Sequence, residues 1–289
     1  MIKITGASGG FGKSAIEFLE TKLSKGEFGA IGRNPEKLKE FSERGIQTFV
    51  ADYNDYNSLL DAFQGADTLL FVSGNEVGHR APQHENVVKA AIAAGVKHIV
   101  YTGLKRKDET AANPLGIVST DHFATEKMIK ESGMKYTILK NTLYSDIYPM
   151  FLGNVADSST VFLPVGDAKI TFATRSDMAE AAANILCHPE LHENKEYDFA
   201  NSESVTFGEI AEYLTDVLGK EINFVSPSVD EYQAALKSAG VDDGTIGFSL
   251  LFINAIRAAE FAEPSLDIEK LIGRKPESSK EYLTKFFTK

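Results

Sequence analysis

Short apolar runs alternate with amphipathic stretches through the first half of the chain. The apolar runs, each of which predicts a strand, are residues 2–5, 28–31, 46–50, 68–72, 98–102 and 136–140. The stretches between them have helical spacing at residues 13–22, 35–44, 57–63, 83–94 and 121–131. Strands that alternate with helices form βαβ units, and uniformly apolar strands are typical of a parallel sheet covered on both faces. The pattern predicts a doubly wound α/β fold.

The second half of the chain has a less regular pattern. It predicts strands at residues 196–199 and 221–225, and helices at residues 177–186, 206–218, 228–239, 245–262 and from 279 onwards. No linker rich in Pro, Gly or Ser separates the two halves. We therefore expect the halves to pack as one body.

A glycine-rich turn lies between the first strand and the first helix. Gly6 allows a tight turn, Gly9 lets a pyrophosphate approach the backbone, and Gly12 lets helix and strand pack closely. The helix N-terminus adds free N–H groups and a positive dipole end. An ordinary glycine-rich loop is the alternative, but the flanking strand and helix favour a nucleotide-binding turn of the Rossmann type. Its residues are Gly6, Ala7, Ser8, Gly9, Gly10, Phe11 and Gly12.

The end of the second strand indicates which dinucleotide such a fold binds. NAD-binding domains place Asp or Glu there, to accept hydrogen bonds from the ribose 2′-hydroxyl. This chain has Arg33, a planar donor suited to a 2′-phosphate, and Lys37 follows one helical turn later. The alternative is a surface arginine, whose charge would be mildly unfavourable beside a helix N-terminus. We expect NADP(H), with Asp52 either near the adenine or capping a turn.

Composition and charge narrow the functional classes. The 289 residues include 30 Lys and Arg against 41 Asp and Glu, which gives a net charge of −11. This acidity argues against nucleic acid or an anionic membrane as the main partner. The content of 43% hydrophobic and 25% charged residues is that of ordinary soluble domains. We therefore expect a small-molecule partner.

The sequence predicts no membrane span and no targeting signal. The most apolar stretch, residues 246–256, has about half the ~20 residues that a span needs. The single cysteine, Cys187, cannot form an internal disulfide or a cysteine-based metal site. These features fit a reducing compartment, and we expect a cytoplasmic protein.

Motifs along nearly the whole chain resemble the NmrA-like branch of the short-chain dehydrogenase/reductase superfamily, and within it the bacterial NAD(P)H:quinone oxidoreductase group. The triphenylmethane dye reductases are a second group that shares several of these motifs. The glycine-rich turn is widespread, whereas Gln83-His84 and Thr125-Glu126-Lys127 are more specific. The other matching segments are Arg33-Asn34-Pro35, Ala51-Asp52-Tyr53, Ser73-Gly74-Asn75-Glu76-Val77-Gly78, Arg80-Ala81-Pro82, Ala94-Gly95-Val96-Lys97, Tyr101-Thr102-Gly103, Lys140-Asn141, Thr174-Arg175 and Leu271-Ile272-Gly273.

The resemblance implies further NADPH contacts at strand ends, where a doubly wound sheet binds ligands. It implies that Asn141 lies near the nicotinamide, and Lys140 stands where relatives commonly have arginine. For Arg175 the alternative is a surface charge beside a helix. The implied contact residues are Ser73, Gly74, Asn75, Tyr136, Thr137, Ile138, Leu139, Lys140, Asn141 and Arg175.

The chain lacks the catalytic pair of the main-line members of that superfamily. Those enzymes carry Tyr-x-x-x-Lys on the helix after the fifth strand, where this chain has His122 and Glu126. Tyr101 and Lys105 have the right spacing but lie on the fifth strand and its exit, where they are not one helical turn apart. His122 is the candidate proton donor because an ordinary histidine titrates near neutrality.

Each catalytic candidate has a structural alternative. His122 is otherwise a partly exposed helix residue, and Glu126 otherwise holds His122 or stabilises the fold. Asn141 completes the catalytic candidates through its implied position beside the nicotinamide.

The missing acid favours acceptors that need none. Reduction of a ketone gives a strongly basic alkoxide, which requires a positioned acid. Reduction of a quinone gives a hydroquinone anion, whose conjugate acid is a phenol with a pKa of about 10, so water can protonate it. A quinone or a cationic dye therefore mainly needs proximity and stacking.

Aromatic residues form two stripes at helical spacing. One stripe contains Tyr144, Tyr148 and Phe151, and the other contains Phe248 and Phe252. Core packing usually explains such a stripe. The functional alternative is a slot for a planar ring above the nicotinamide, and both hold if the second half covers the carboxyl edge of the sheet. The candidate substrate residues are His79, Tyr144, Tyr148, Phe248 and Phe252.

The histidines predict no metal site. His79 and His84 are five residues apart and do not share one helical face. No cluster of carboxylates or cysteines accompanies them in the sequence. For His79, an ordinary loop position is the alternative to a place at the substrate mouth.

Together these observations predict two parts and one main function. Residues 1–150 are expected to form an NADP(H)-binding Rossmann domain, and residues 151–289 mainly a smaller α/β substrate cap with segments that return to the sheet. The expected activity is NADPH-dependent hydride transfer to a quinone or a similar planar electrophile, by a chain that can form a homo-oligomer.

Two other functions remain open from the sequence. One is an NADP(H)-binding, redox-sensing regulator without turnover, and the other is a reductase of triphenylmethane or azo dyes. A reductase needs an open cavity beside nicotinamide C4, whereas a regulator needs an exposed apolar surface for a partner.

Overall fold

The computed structural model describes residues 1–107, 110 and 112–288. The strands are β1 (Ile2–Ile4), β2 (Phe28–Gly32), β3 (Gln47–Val50), β4 (Thr68–Phe71), β5 (His98–Leu104), β6 (Lys135–Asn141), β7 (Leu143–Tyr144), β8 (Thr160–Phe162), β9 (Phe172–Ala173), β10 (Lys195–Phe199) and β11 (Asn223–Val225). The helices are α1 (Gly10–Glu20), α2 (Pro35–Glu43), α3 (Tyr56–Phe63), α4 (Arg80–Ala93), α5 (Ile117–Glu131), α6 (Tyr148–Leu152), α7 (Val155–Ser158), α8 (Arg175–Cys187), α9 (Phe207–Leu218), α10 (Val229–Ser238), α11 (Asp243–Arg257), α12 (Asp267–Ile272) and α13 (Ser279–Phe287). Short 3-10 helices occur at Ser145–Ile147 and Pro189–His192.

Within the described residues, seven strands form one parallel sheet in the order β10-β6-β5-β4-β1-β2-β3. Strand β1 is an interior strand, in which Ile4 pairs with Ala30 on one side and with Leu70 on the other. The strand order reverses between β1 and β4, and in sheets of this kind the crevice outside the carboxyl ends of the strands at that point binds ligands.

Both faces of the sheet are buried by helices. Leu70, Val100 and Leu139 pack in one core with residues of α1, α2 and α8. Their neighbours Leu69, Ile99 and Ile138 pack in a second core with residues of α3, α4 and α5. Successive residues of a strand point to opposite faces, so these two cores lie on the two sides of the sheet. The predicted doubly wound α/β fold is confirmed.

Part of the second half returns to this sheet. Strand β10 pairs in parallel with β6 as its last strand. Helix α8 packs against α1, and α12 packs against α8 and β10. The segment from α8 to β10 therefore extends the Rossmann sheet beyond residue 150.

The remaining elements of the second half have a core of their own. It contains Tyr148, Phe151, Phe172 and Phe207, whose rings pack against one another at centroid distances of 4.1–6.4 Å. Two short parallel pairs, β8 with β11 and β7 with β9, lie in this region. Core packing is thus the observed role of Tyr148 and Phe151 in the first aromatic stripe.

Side-chain caps lie at the start of several helices. Asn34 Oδ1 accepts hydrogen bonds from the backbone N–H groups of Glu36 and Lys37, with Pro35 as the first helical residue. Thr206 and Glu209 form a capping box at the start of α9. Such caps satisfy N–H groups that have no partner within the helix.

Some element boundaries differ from the prediction. Helix α5 begins at Ile117, four residues early, because Gly116 with φ +53° ends the preceding turn. Helix α11 ends at Arg257 rather than 262, since Ala259 adopts φ +61° and breaks the helix. Among the described residues, no helix has both the length and the apolar character of a membrane span.

Candidate active site

A cavity of about 490 Å³ lies at the carboxyl ends of β1, β2, β4, β5 and β6. Phe252 of α11 also lines it, so the second half contributes to its wall. The predicted residues that line it are Gly6, Ser8, Gly9, Gly10, Phe11, Arg33, Asp52, Ser73, Gly74, Asn75, His122, Asn141, Tyr144, Arg175 and Phe252. The cavity therefore lies where a doubly wound sheet binds its ligand.

The glycine turn leaves no room for side chains. Gly6 has φ +60°, and a Cβ on Gly12 would lie 2.4 Å from the carbonyl oxygen of Gly6. The Gly9 N–H donates to that same oxygen at 2.9 Å. Gly9 is the N-cap of α1 and provides no side-chain cap, so the first backbone amides of the helix are left for a ligand. This cradle fits a pyrophosphate.

Two residues of the motif lie behind the cavity rather than on its wall. Ala7 is fully buried, and its N–H donates to the carbonyl of Ile31 at 3.0 Å. Gly12 packs against Gly6 and Ala7. Their part in the site is to bring strand and helix together.

Arg33, Asp52 and Glu76 line what we call the exposed end of the cavity. Arg33 Nη1 donates to Glu76 Oε1 at 2.8 Å, and 63% of the Arg33 side chain is exposed. This ion pair raises the pKa of Arg33 and lowers that of Glu76. Asp52 Oδ1 accepts from the backbone N–H and the side chain of Asn54, so it lines the cavity and caps a turn.

Residues of α4 hold the loop after β4 through both backbone polar groups of Gly74. The Gly74 N–H donates to His84 Nε2 at 3.0 Å, and Arg80 Nε donates to the Gly74 carbonyl at 2.8 Å. The Ser73 N–H donates to Thr102 Oγ1 at 2.8 Å. These bonds hold the part of the loop that lines the cavity.

The tautomer of His84 follows from its partners. Because Nε2 accepts from an amide, the ring proton lies on Nδ1, which is 2.8 Å from Thr125 Oγ1. Thr125 in turn donates to the carbonyl of Asp121 at 2.7 Å. Burial lowers the pKa of His84 to about 3, so the neutral form persists. The more specific segments Gln83-His84 and Thr125 thus support the loop, a role that the sequence reasoning missed.

His122, Asn141 and Tyr144 form what we call the buried end of the cavity. Asn141 Nδ2 donates to the Tyr144 hydroxyl at 3.0 Å. Asn141 Oδ1 is buried and has no hydrogen-bond partner within the part of the chain that the structure describes. A buried acceptor left open in this way fits an amide donor such as the nicotinamide carboxamide.

Arg175 connects the buried end to the glycine turn. Its guanidinium carbon lies 4.3 Å from the centroid of the Tyr144 ring, and its Nε lies 2.8 Å from Asp146 Oδ2. Its Nη1 is 3.2 Å from the position that a Cβ on Gly10 would take. The side chain therefore lies beside the cradle, where a phosphate of the cofactor would be.

His122 lines the cavity in its neutral form. It is 5% exposed, and its Nδ1 lies 2.7 Å from the hydroxyl of Tyr101. Burial, with the charge of Arg80 as the next cause, holds the pKa of His122 well below its ordinary value. Tyr101 is fully buried, and burial raises the pKa of its hydroxyl. Neither group is therefore a ready acid at neutral pH.

The structure corrects the catalytic prediction for Glu126. Its two carboxylate oxygens accept from Arg106 Nη1 and Nη2 at 2.8 and 2.6 Å, in a pair that is almost fully buried. Glu126 Oε1 also lies 2.8 Å from the place of a Cβ on Gly103. The carboxylate is occupied by a structural ion pair, and Glu126 is not on the cavity wall.

The predicted contacts at residues 136–140 are corrected as well. Only Asn141, at the carboxyl end of β6, lines the cavity. Thr137 Oγ1 donates to the carbonyl of His192, and Lys140 pairs with Glu196 at 2.8 Å. The others lie within the sheet, below its carboxyl edge: Tyr136, Ile138 and Leu139.

Three predicted substrate residues also lie away from the cavity wall. Tyr148 is 1% exposed, and its hydroxyl donates to Ser279 Oγ within the second-half core. Phe248 is 45% exposed on α11, one turn before Phe252, and the two ring centroids are 5.1 Å apart. His79 is an exposed residue at the start of α4. Conversely, Glu76, Arg80 and Gln83 line the cavity without having been predicted.

Comparisons with known proteins identify the family to which the chain is similar. A family model described as the NmrA-like family matches residues 1–264. Quinone oxidoreductase 2 of Escherichia coli is 38% identical to the chain over 289 residues, which cover 99% of both proteins.

Solved structures of two reductases are similar to this chain over nearly its whole length. The crystal structure of an NADPH-dependent quinone oxidoreductase from Escherichia coli in complex with NADPH has a TM-score of 0.92 and 37% identity, and covers 99% of this chain and 100% of its own. The triphenylmethane reductase of Citrobacter sp. in complex with NADP(H) has a TM-score of 0.91 and 35% identity, with 99% of each chain covered.

Proposed function

The chain belongs to the NmrA-like family, and we propose that it is a reductase that binds NADPH in the cavity and transfers a hydride to a quinone or a similar planar electrophile. The observation that carries this proposal is one continuous cavity with the glycine cradle and Arg33 in its wall together with Asn141 and His122. Relatives that are 35–38% identical over nearly the whole chain are named as a quinone oxidoreductase and a triphenylmethane reductase, and their structures contain NADPH and NADP(H).

The residues present fit the cofactor. The amides at the start of α1 suit the pyrophosphate, Arg33 suits the 2′-phosphate, and Asn141 Oδ1 suits the carboxamide. Bound NADPH supplies the hydride. The chain binds and orients the reactants, and Tyr144, Ile147 and Phe252 offer apolar wall for a planar ring.

The buried end explains why the acceptor should be quinone-like. His122 is neutral, and the hydroxyl of Tyr101 lies in the core with its pKa raised. An alkoxide product would find no ready acid in these two groups. A hydroquinone anion, with a phenol-like pKa of about 10, can take its proton from water. The site therefore supports acceptors that require proximity more than acid catalysis.

Quinone-dependent oxidation of NADPH tests this function directly. The absorbance of the reduced nicotinamide is followed with and without 1,4-benzoquinone, and heat-denatured protein controls for the uncatalysed reaction. We expect turnover that requires both folded protein and quinone. Tight binding of NADPH without quinone-dependent turnover would contradict the proposal and favour the non-catalytic regulator.

Acceptor class is tested in the same assay. A cationic triphenylmethane dye and an azo dye replace the quinone, at matched concentrations. A higher kcat/KM with either dye than with the quinone would assign the chain to the dye reductases instead.

Compartment and assembly remain proposals. The described residues contain one cysteine, which is free and half-buried, as suits a reducing cytoplasm. We propose a cytoplasmic protein that can form a homo-oligomer; sedimentation of the purified protein measures the second point.

A further inference from the structure

We propose that Glu76 is an internal competitor of the cofactor's 2′-phosphate, which must displace the Glu76 carboxylate from Arg33 for NADPH to bind. The inference rests on the proposed binding of NADPH in this cavity. It assigns Glu76 as a residue that sets both the affinity for NADPH and the preference for NADPH over NADH.

The geometry gives Glu76 this role. Arg33 Nη1 donates to Glu76 Oε1 at 2.8 Å, and both side chains line the same cavity. A carboxylate and a phosphate both use the N–H groups of a guanidinium as donors. The carboxylate therefore occupies one of the five N–H donors of Arg33 and competes with a 2′-phosphate for the same guanidinium.

The exchange leaves Glu76 with a partner. Gln83 Nε2 donates to Glu76 Oε2 at 2.9 Å, and Gln83 is itself 4% exposed and held in α4. When the 2′-phosphate takes Arg33, the Glu76 carboxylate keeps this hydrogen bond. The released carboxylate is thus not left without a donor, which keeps the exchange reversible.

At saturating cofactor, the difference in charge favours the 2′-phosphate over the Glu76 carboxylate as the partner of Arg33. The pair of Arg33 and Glu76 is largely exposed, with 63% and 40% of the side chains accessible, and such pairs contribute little. A phosphate carries close to two negative charges and three acceptor oxygens. Glu76 and Asp52 together place two carboxylates beside one guanidinium, so they oppose the phosphate even after it has bound.

The rest of the loop limits the movement to the segment around Glu76. Gly74 is held at its N–H by His84 and at its carbonyl by Arg80. The Glu76 side chain itself is 40% exposed, so it has room to rotate towards solvent. The carboxylate can therefore leave Arg33 while the cavity wall at Gly74 stays in place.

Calorimetry with two small nucleotides tests the competition without any turnover. Adenosine 2′,5′-bisphosphate carries the 2′-phosphate, and adenosine 5′-monophosphate is its match without it. In Glu76→Gln we expect the bisphosphate to bind about three- to tenfold more tightly and the monophosphate to change less than about twofold. NADPH and NADH should show the same contrast.

Two further variants provide controls. Glu40→Gln removes a carboxylate of equal exposure, 40%, whose partner is Lys13 and which does not line the cavity; it should change neither affinity. In an Arg33→Ala background, the gain from Glu76→Gln should fall below about twofold, because the shared donor is gone.

Three results would overturn the inference. These are unchanged or weaker binding of the bisphosphate to Glu76→Gln, an equal gain in Glu40→Gln, or the full gain in the Arg33→Ala background. If the wild-type protein binds neither nucleotide nor NADPH, the proposed function fails together with the inference. Tight binding by the wild type with no effect of Glu76→Gln rejects the inference alone.

Discussion

The two ends of the cavity are built in different ways. The exposed end, taken together with the glycine turn, depends on charge and backbone: Arg33 pairs with Glu76 at the surface, and Gly6 and Gly12 leave no room for a side chain. The buried end depends on neutral side chains brought together from distant segments, with His122 on α5 and Asn141 at the end of β6. The exposed end is suited to binding phosphates. The buried end is suited to placing an acceptor beside a hydride donor without donating a proton to it.

The region behind the buried end should be the more fragile, because α5, which carries His122, also carries the buried ion pair of Glu126 with Arg106. Glu126→Ala leaves the guanidinium of Arg106 buried without its carboxylate, which should lower the free energy of unfolding by about 3–5 kcal/mol. Glu131→Ala is the matched control on the same helix, since its pair with Lys127 spans 3.9 Å at the surface; it should change stability by less than about 0.5 kcal/mol. Denaturant unfolding measures the free energy of unfolding of both variants. Equal effects would show that the buried ion pair contributes no more to stability than the surface pair does.

At the exposed end, the cradle should tolerate no added methyl group at Gly12. A Cβ there would lie 2.4 Å from the backbone oxygen of Gly6, so Gly12→Ala should cost about 1–3 kcal/mol of stability. Because the turn must shift, NADPH should also bind at least about tenfold more weakly. Gly26→Ala is the control, since nothing lies within 4 Å of its Cβ position. Wild-type affinity in folded Gly12→Ala would exclude the cradle as the phosphate site.

Removing Arg33 should affect the choice of cofactor more than the fold. The side chain is 63% exposed and faces the exposed end. Arg33→Ala should weaken NADPH about five- to tenfold and NADH less than about twofold, because only NADPH has the 2′-phosphate. Titration of both cofactors measures this. A ratio of affinities equal to that of the wild type would reject Arg33 as the discriminating residue.

The smallest effect is expected at His122. Its pKa lies well below its ordinary value of about 6.5, so the ring stays neutral as the pH rises from about 6 to 8. With benzoquinone, kcat/KM should therefore be flat across that range and should change less than about threefold in His122→Asn. A titration near pH 6.5 that disappears in the variant would make His122 the acid after all.

The exposed end could be predicted from the sequence because its requirements are local. Gly6, Gly9 and Gly12 act within one turn, and Arg33 follows a strand whose position the apolar pattern shows. The parallel, doubly wound character of the sheet follows from the same alternation of strands and helices. Here the residues of a short local motif are enough to indicate where phosphates bind.

The buried end could not be predicted in the same way. The ion pair of Glu126 joins residues twenty apart. The match of His122 and Glu126 to the Tyr-x-x-x-Lys positions of the superfamily suggested a catalytic role instead. The spacing of Tyr148 in the sequence is compatible with either a pocket wall or a core position. Its hydrogen bond to Ser279, 131 residues away, places it in the core. His84 is a loop support only because Gly74 and Thr125 both lie within hydrogen-bond distance of its ring. Long-range contacts of this kind leave no periodic signal in the sequence.

The central claim is that the protein brings a hydride donor to its acceptor without supplying an acid. The most direct test compares kcat/KM for 1,4-benzoquinone and for an unactivated ketone, cyclohexanone, in the wild-type protein at saturating NADPH and neutral pH. The absence of a ready acid predicts a value for the quinone that exceeds that for the ketone by at least about a thousandfold after subtraction of the uncatalysed rate. Comparable values for the two acceptors would contradict the account.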